Sequence, residues 1–382
     1  MILTHKTEIF PNKLQQQALE RNFGVRRFYF NIAIHFLRKE YGDLKENRKS
    51  LTKKLIMSLR KDLFREKYYE IVRTASSHII DTALEDVMFA LNTLWKHKVK
   101  DIKYRKKKYS NTCRFFKKTP EALQSDGISK ILKLPSLKEI EMAEPLRWKN
   151  ADIKTVTVKK IANRFFASIT CEIPDCDRPE KTYKHLGIDW GISSYITGFD
   201  GSNLLESDFE KKTLDTLDER INKYQRKLSK KVLNSKNFTK TKTKLQQNYL
   251  DFNNYRDDFI KKLVKNLSDK YDSVTLEDLG MRFVTSNKRL AHKAKQKPFY
   301  LLKVAFINKF SQLGKKVYLV PKTFPSTQTC SNCGNVKTGK EKLILGEKIY
   351  NCKHCGYIIN RDVNAAINLF TYKNLKEASL ES

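Results

Sequence analysis

Two pairs of cysteines near the carboxyl end of the sequence constrain its fold more than any other feature. The pairs have the form C-x-x-C and are Cys330 with Cys333, and Cys352 with Cys355. The eighteen residues between the pairs, 334–351, lie within the spacing range of four-cysteine zinc sites. Because four thiolates complete the tetrahedral coordination of Zn²⁺ and leave no position for water, we expect this zinc to be structural. The sequence therefore predicts a small zinc ribbon that supports chemistry carried by other residues.

The net charge indicates the kind of partner that the chain binds. The sequence has 76 Lys and Arg against 42 Asp and Glu, which leaves a formal net charge of +34 over 382 residues. An excess of this size is typical of proteins that bind polyanions such as nucleic acid. Hydrophobic residues make up 40% of the sequence, which is enough for folded cores, so we expect the positive charge on the surfaces of folded domains.

Two further features bear on where the protein works. No window of about 18 apolar residues is present, so we expect no membrane partner. The first residues lack the basic, apolar and cleavage-site regions of a secretory signal, which favours a cytoplasmic protein. In a reducing compartment, paired cysteines indicate metal binding, and the scattered Cys113, Cys171 and Cys176 are interpreted as packing residues.

The first half of the sequence combines a β-domain with an inserted helical segment. Residues 2–10 alternate like an edge strand, and three period-two segments between Gly127 and Ile173 predict further strands. Two apolar stripes at helical spacing lie between them. Their members are Leu14, Ala18, Val25, Phe28, Ile32 and Phe36 in the first stripe, and Ile80, Leu84, Val87, Leu91, Leu94 and Trp95 in the second. We interpret the helices as an insertion after the first strand.

The second half predicts an alternation of strands and helices. The segment from residue 185 to 207 predicts three strands, with an Asp200-Gly201 hairpin signal before the last. Residues 214–228 and 245–267 carry apolar residues at intervals of three and four, which predicts an antiparallel helical hairpin. The pattern then predicts a strand that ends at Glu277, a helix that ends before Gly314 and a strand that ends before Pro321.

The densest positive charge lies in the run KHKVKDIKYRKKKYSNTCRFFKK, which begins at Lys96. Its candidate nucleic-acid-binding residues are Lys103, Arg105, Lys106, Lys107 and Lys108, and the hairpin motif RKLSKK adds Arg226 and Lys227. Aromatic residues interleave with the cations of the run, as they do on surfaces that stack on nucleic acid. They are Tyr104, Tyr109, Phe115 and Phe116. The alternative is a solvated surface segment, but the net charge favours contact with phosphate.

Three carboxylates stand at positions that could bring them together. Asp189 follows an apolar strand, Glu277 ends the strand SVTLE, and Asp362 begins a helix. Each has an ordinary explanation alone, since an aspartate at a helix start is usually a cap. Together they match what a two-metal phosphodiesterase needs, with a pair of Mg²⁺ or Mn²⁺ ions held by acids from different elements. No Walker loop, dinucleotide glycine pattern or H-E-x-x-H motif indicates another reaction.

The order of five motifs resembles that of TnpB, an RNA-guided nuclease encoded by insertion sequences and a relative of type V CRISPR effectors. The motifs are GIDWG, the basic hairpin with RKLSKK, VTLEDL, the pair CSNCG and CKHCG, and RDVNAAINL. The resemblance implies that Asp189, Glu277 and Asp362 are the catalytic acids of a RuvC-like domain with an RNase H-type fold, and that Asn360 and Arg361 lie beside them. The family more often has Asp before that Arg, and Trp190 stands where it commonly has a smaller aliphatic residue.

The resemblance also implies a multidomain α+β and α/β architecture. A β-barrel wedge domain would comprise residues 1–10 and 99–180, with a helical recognition domain inserted at residues 11–98. A RuvC-like nuclease domain would comprise residues 181–322 and 358–382, with the zinc ribbon inserted at residues 323–357. We expect the cationic loop from Gly280 to Lys297 to be a lid over nucleic acid or an ordinary surface loop.

The function that the resemblance implies is RNA-guided DNA cleavage beside a short adjacent motif, in a prokaryotic cell and on the nucleoid. The partners would be a guide RNA derived from the transposon end and double-stranded target DNA. The alternatives are a nuclease-inactive RNA-guided repressor, a compact type V CRISPR effector and a RuvC-like resolvase without a guide. A repressor would lose catalytic acids, whereas this sequence keeps all three.

Overall fold

The computed structural model describes most of the chain, which divides into two compact units, Met1–Asp175 and Cys176–Ser382. The described residues are 1–62, 77–96, 99–107, 110–116, 123–149, 151–174, 180–191, 194–278, 296–321, 323–344 and 346–381, with side chains omitted at 60–62, 77 and 374–381. No helix in these ranges is both long enough and apolar enough to cross a membrane. Each unit has its own hydrophobic core.

The first unit contains a six-stranded antiparallel sheet in the order β2-β5-β6-β1-β4-β3. Its strands are β1 (Ile2–Phe10), β2 (Thr112–Phe116), β3 (Ile131–Leu134), β4 (Lys138–Met142), β5 (Asp152–Ile161) and β6 (Arg164–Glu172). Its helices are α1 (Lys13–Tyr41), α2 (Lys53–Asp62) and α3 (Ser77–Trp95). Strand β1 has β4 on one side and β6 on the other, both of which follow the helices in sequence. The prediction that β1 is an edge strand is therefore wrong. Closure of this sheet into a barrel stays a prediction.

Helices α1 and α3 contribute to two cores, one against the sheet and one between the helices. The apolar stripe predicted for α3 is confirmed, because its first five members are buried and Trp95 is half-buried. The stripe predicted for α1 is not its buried face: only Val25 is buried, and Leu14 is 76% exposed. The other four members, Ala18, Phe28, Ile32 and Phe36, are half-buried. The buried apolar residues of α1 are Leu19, Phe23, Val25, Tyr29, Phe30, Ala33, Ile34 and Leu37. The face of α1 that is buried is set by the sheet at one end and by α3 at the other, which periodicity alone does not specify.

Strand β2 corrects the interpretation of the basic run. Its residues alternate between half-buried and buried, and Phe115 is fully buried in the sheet core beside Cys113. Phe116 packs against the ring of His78, with 4.8 Å between ring centroids. The prediction that Phe115 offers a stacking surface is therefore wrong, because the aromatic residues at the end of the run belong to a strand.

The second unit contains a five-stranded mixed sheet in the order β11-β10-β7-β8-β9. Its strands are β7 (His185–Asp189), β8 (Ile196–Phe199), β9 (Leu204–Ser207), β10 (Ser273–Glu277) and β11 (Lys316–Val320). Strands β7, β10 and β11 run parallel, β8 pairs antiparallel with β7, and β9 pairs antiparallel with β8. These five strands were all predicted from the sequence, and the structure confirms them.

Helices cover this sheet, and a small two-stranded ribbon interrupts the chain before the last helix. The helices are α4 (Lys211–Ser229), α5 (Lys236–Lys270), α6 (Phe299–Gln312) and α7 (Arg361–Glu381), and the ribbon strands are β12 (Ile349–Asn351) and β13 (Ile358–Asn360). The apolar residues Ile221, Phe252 and Val264 of the α4–α5 hairpin join the core under the sheet. Gly314 has a φ of +67°, which confirms its predicted place just after α6.

A glycine lets α7 lie directly on β7. A Cβ atom placed on Gly187 would lie 2.2 Å from the backbone N of Phe370 and 2.5 Å from the carbonyl oxygen of Ala366. No side chain fits in that space, so the helix and the strand approach each other backbone to backbone. This contact brings the first turn of α7 to the carboxyl edge of the sheet.

Candidate active site and metal centre

Asp189 and Glu277 end two neighbouring parallel strands. The strand register pairs Ile188 of β7 with Leu276 of β10, and each acid is the next residue along its strand. The two acids therefore lie side by side at the carboxyl edge of the sheet, on neighbouring strands about 4.8 Å apart. Asp189 is 6% exposed, which is rare for a carboxylate.

Asp362 enters the same site from the first turn of α7. The capping role belongs to Asn360, whose Oδ1 accepts hydrogen bonds from the backbone amides of Asp362 at 2.8 Å and of Val363 at 3.3 Å. The ordinary explanation for an aspartate at this place, a helix cap, therefore does not account for the Asp362 carboxylate. Its side chain is 23% exposed and lies 3.4 Å from Nε of Arg361, so the predicted neighbour Arg361 is at the site.

The electrostatics of Asp189 show that the acids converge. Burial raises the pKa of Asp189 well above its usual range, and the nearby charges of Glu277 and Asp362 raise it further, while Arg361 opposes the shift. Burial also raises the pKa of Glu277, and a hydrogen bond from Ser326 opposes that shift. Mutual repulsion of this kind is relieved by a bound divalent cation, so the donor set fits Mg²⁺ or Mn²⁺.

The three acids are less closely gathered than the four cysteines. Among the described residues, the four cysteines are the one group of three or more Cys, His, Asp or Glu side chains whose ligand atoms all lie within 4.8 Å of one another. The oxygens of Asp189, Glu277 and Asp362 therefore do not form so compact a set.

The four predicted zinc ligands form a compact cluster. The Sγ atoms of Cys330 and Cys355 are 3.7 Å apart, and those of Cys333 and Cys352 are 3.6 Å apart. Four sulfurs at about 2.3 Å from a tetrahedral Zn²⁺ would lie about 3.8 Å from one another. The backbone amide of Tyr357 lowers the pKa of Cys355. The backbone amide of Asn335 also acts to lower the pKa of Cys333, but desolvation and hydrogen bonds with the other three cysteines outweigh it and raise that pKa. The four sulfurs therefore share protons that a cation would displace. The cluster could therefore hold a zinc ion.

Glycines shape both cysteine turns. Gly334 has a φ of +75° and Gly356 a φ of +70°, a region that side chains rarely adopt. Their amides donate to the carbonyl oxygens of Cys330 at 2.9 Å and Cys352 at 2.8 Å, which closes each turn around its pair of sulfurs. Because the two turns have the same geometry, they direct four sulfurs to one point.

Removing zinc should unfold the ribbon and leave the five-stranded sheet folded. The ribbon core consists of Cys330, Tyr350 and Cys352 with a few half-buried side chains, which is too small to fold unaided. We expect a zinc chelator to bring amide hydrogen exchange in residues 330–357 to nearly unfolded rates, while β7 and β10 stay protected. A chelator loaded with zinc beforehand serves as the control. Retained protection in the ribbon after zinc loss would contradict the structural role.

The basic run contributes fewer candidate nucleic-acid contacts than predicted. Lys103, Lys106 and Lys107 are exposed, and Lys108 lies outside the described residues. The Arg105 side chain instead donates to Asp86 at 2.6 Å and stacks 3.8 Å from the ring centroid of Phe30. These contacts account for Arg105 within the protein, and we leave it out of the candidate surface.

The tip of the α4–α5 hairpin forms a cationic groove of about 370 Å³. The residues of this hairpin-tip groove are Tyr224, Lys227, Lys230, Lys231, Lys240, Thr241 and Lys244. Of the two predicted hairpin residues, Lys227 lines the groove, whereas Arg226 is exposed beside it. Lys240 and Lys244 have no local signal in the sequence, because they belong to the second helix and only the antiparallel turn brings them beside the first. The loop predicted as a lid falls mostly in residues 279–295, outside the described residues.

Family models match three segments of the chain. A model described as "Probable transposase" (OrfB_IS605) matches residues 168–288, and one described as "Cas12f1-like, TNB domain" matches residues 299–369. A helix-turn-helix model of the OrfB_IS605 group matches residues 1–46. The second match includes the four cysteines and Asp362, and the first includes Asp189 and Glu277.

Relatives of the whole chain agree with these matches. A protein of Streptomyces pristinaespiralis named "Putative RNA-guided DNA endonuclease" is 26% identical over 366 residues, covering 95% of this chain and 87% of the relative. InsQ of Escherichia coli (strain K12), which bears the same description, is 23% identical over 380 residues, covering 95% of this chain and 90% of InsQ. The resemblance to TnpB predicted from the motifs is confirmed by these similarities.

A solved structure shares the fold. A Cas12f1 chain in a cryo-EM structure of its complex with sgRNA and target DNA matches 98% of this chain and 99% of its own, with a TM-score of 0.53 and 13% sequence identity. The chain therefore has a Cas12f-like fold of mixed helices and sheets.

Proposed function

We propose that this chain, as its resemblance to TnpB implies, is an RNA-guided DNA endonuclease of a transposon that cuts DNA beside a short adjacent motif. The observation that carries the proposal is the convergence of Asp189, Glu277 and Asp362 at one sheet edge, with raised pKa values at the first two. The whole-length similarity to proteins named as RNA-guided DNA endonucleases supports it over the alternatives.

The residues of the site suit phosphodiester hydrolysis. Two bound Mg²⁺ or Mn²⁺ ions would activate water and stabilise the leaving 3′ oxygen. Asp189, Glu277 and Asp362 would hold them through carboxylate oxygens, which hard divalent cations prefer. Arg361, beside Asp362 and 28% exposed, places a permanent positive charge where a phosphate group would approach. The low exposure of Asp189 keeps the site partly shielded from water, which strengthens these charge interactions.

The mixed sheet supports an RNase H-type, RuvC-like nuclease domain in the second unit. Three parallel strands carry two of the acids at their carboxyl edge, and α7 carries the third. We retain the predicted division into a wedge domain (1–10 and 99–180), a recognition domain (11–98), a nuclease domain (181–322 and 358–382) and a ribbon (323–357). The pairing of β1 with β4 and β6 across the helices supports the inserted helical domain.

The proposed partners are a guide RNA derived from the transposon end and double-stranded target DNA. The hairpin-tip groove and the exposed Lys103, Lys106 and Lys107 are candidate phosphate contacts, because clustered cations release counterions when they bind a polyanion. Phosphate contacts of this kind position a nucleic acid without reading its sequence.

The RNA that copurifies with the protein tests the guided mechanism. We would express the chain with its native flanking DNA and sequence the bound RNA. One discrete RNA that extends from the downstream end of the gene into neighbouring sequence is expected, and the purified complex should cut DNA matching its guide. Repeat-derived RNA would favour a CRISPR effector instead. Heterogeneous cellular RNA with guide-independent cutting would favour a plain RuvC-like nuclease.

A further inference from the structure

A buried serine lies against one of the three acids. The Oγ of Ser326 donates a hydrogen bond to Oε1 of Glu277. Ser326 is 2% exposed, so bulk water does not compete for this bond. Glu277 ends β10, whereas Ser326 lies at the start of the ribbon segment 323–357, before Cys330. The bond therefore joins the sheet edge to the start of the ribbon segment.

The backbone around Ser326 is held in turn by α7. The Nδ2 atom of Asn368 donates to the carbonyl oxygens of Ser326 at 2.8 Å and of Thr329 at 2.7 Å. One turn earlier on the same helix face, Asn364 donates to the Thr329 carbonyl at 2.7 Å. Both asparagines are buried. Since α7 also carries Asp362, this helix positions Asp362 directly and Glu277 through Ser326.

The structure assigns Ser326 as a positioning residue for Glu277 that raises the affinity of the acidic site for a divalent cation, an inference that rests on the proposed function. A glutamate side chain has several rotatable bonds, and fixing them when an ion binds costs conformational entropy. The Ser326 hydroxyl holds Oε1 beforehand, and the carboxylate keeps further lone pairs that an ion can use. A carboxylate that is fixed in advance loses less entropy on binding, so the ion binds more tightly.

Mn²⁺ titration of serine variants tests this role. Full-length protein without nucleic acid is titrated with Mn²⁺ in a calorimeter, at a temperature at which circular dichroism shows every variant folded. We expect Ser326→Ala to raise the dissociation constant about tenfold, the scale of one hydrogen bond to a charged group. Ser326→Thr keeps the hydroxyl and should stay close to the wild type. Wild-type affinity in Ser326→Ala, or an equal loss in both variants, would overturn the assignment.

Ser268→Ala is the matched control. The Ser268 side chain is also buried in the second unit, but its hydroxyl donates to the carbonyl oxygen of Lys265 in its own helix at 2.8 Å. Loss of this hydroxyl should leave the Mn²⁺ affinity unchanged. In cleavage assays, we expect Ser326→Ala to need about tenfold more Mn²⁺ than the wild type for its half-maximal rate. At saturating Mn²⁺ the variant should reach most of the wild-type rate, which a variant with a general folding defect would not do.

Glu277→Gln separates failure of this inference from failure of the proposed function. If the wild type binds no Mn²⁺, or if the wild type and Glu277→Gln bind it equally, the acids are not a metal site and the proposed function fails as well. If Glu277→Gln loses affinity and Ser326→Ala keeps it, the acids hold the metal and only the assignment of Ser326 fails.

Discussion

Replacing Asp189 by asparagine is expected to lower the rate of DNA cleavage by at least about 10³-fold and to leave guide-dependent DNA binding intact. The substitution removes one anionic ligand from the site, and metal stabilisation of the transition state is worth several kcal/mol, which corresponds to about this factor. Asparagine keeps the size of the side chain and an oxygen that can still accept the hydrogen bond from the backbone amide of Trp190. Cleavage and binding of a guide-matched DNA are measured with the same purified complex.

The same substitution should make the metal-free protein more stable at neutral pH. Burial and the charges of Glu277 and Asp362 raise the native pKa of Asp189 above its ordinary value of 3.8. The native state therefore binds this proton more tightly than the unfolded chain, so the free energy of unfolding falls as pH rises from about 3.8 toward the native pKa. The asparagine side chain of the variant does not titrate, and that part of the pH dependence should disappear from thermal unfolding curves.

Asp215→Asn provides the control for both measurements. Asp215 is an exposed acid on α4, so its loss should change neither the cleavage rate nor the pH dependence of unfolding. Mg²⁺ should raise the unfolding temperature of the wild type and of Asp215→Asn but not of Asp189→Asn, because a ligand stabilises only the state that binds it. Metal-dependent cutting by Asp189→Asn at the wild-type rate would remove Asp189 from the site.

Gly187→Ala is expected to destabilise the second unit by at least about 3 kcal/mol, the upper range for forcing an added carbon into a packed interior. The added Cβ would meet backbone atoms of Ala366 and Phe370, which cannot rotate away as a side-chain end could. Helix α7 would have to lift from β7, and Asp362 would leave the site with it. Urea unfolding of the variant measures the loss of stability, and cleavage should fall with it.

Gly346→Ala is the matched control for the glycine substitution. A Cβ at Gly346 would meet no heavy atom within 4 Å, and the residue also belongs to the second unit. The two variants lose the same conformational freedom in the unfolded chain, so their difference reports the contact with α7 alone. Equal stability of the two variants would show that the packing of α7 on β7 does not require the close backbone contact at Gly187.

The elements that the sequence predicted best are those whose pattern is local. The strands ending at Asp189 and Glu277 consist of short apolar runs, and the stripe of α3 repeats at helical spacing, so each was found from its own residues. The acids could be grouped because the carboxyl ends of parallel strands share one edge. The cysteine pairs carry their own spacing rule, which the sulfur distances satisfy.

The features that the sequence did not reveal depend on which elements meet. Phe115 followed a basic run and was interpreted as a stacking residue, but its alternation with Cys113 in β2 places it in the core. Leu14 fits a helical stripe, yet it lies outside the buried face of α1. Ser326 has no signal of its own, because only folding brings the start of the ribbon segment beside Glu277. The role of Gly187 was equally hidden until the position of α7 was known.

The position of α7 in the chain has a consequence for protein synthesis. Helix α7 follows the ribbon and is the last of the described elements of the second unit. It carries Asp362, the asparagines Asn364 and Asn368 that hold the backbone around Ser326, and the backbone that covers Gly187. A ribosome releases this helix only after the basic hairpin and the first two acids have emerged. A nascent chain can therefore present cationic surface to nucleic acid before it can assemble a complete set of acids. On the proposed function, the capacity to cut arises last, and a chain that ends before Arg361 would keep the cationic hairpin but lack Asp362.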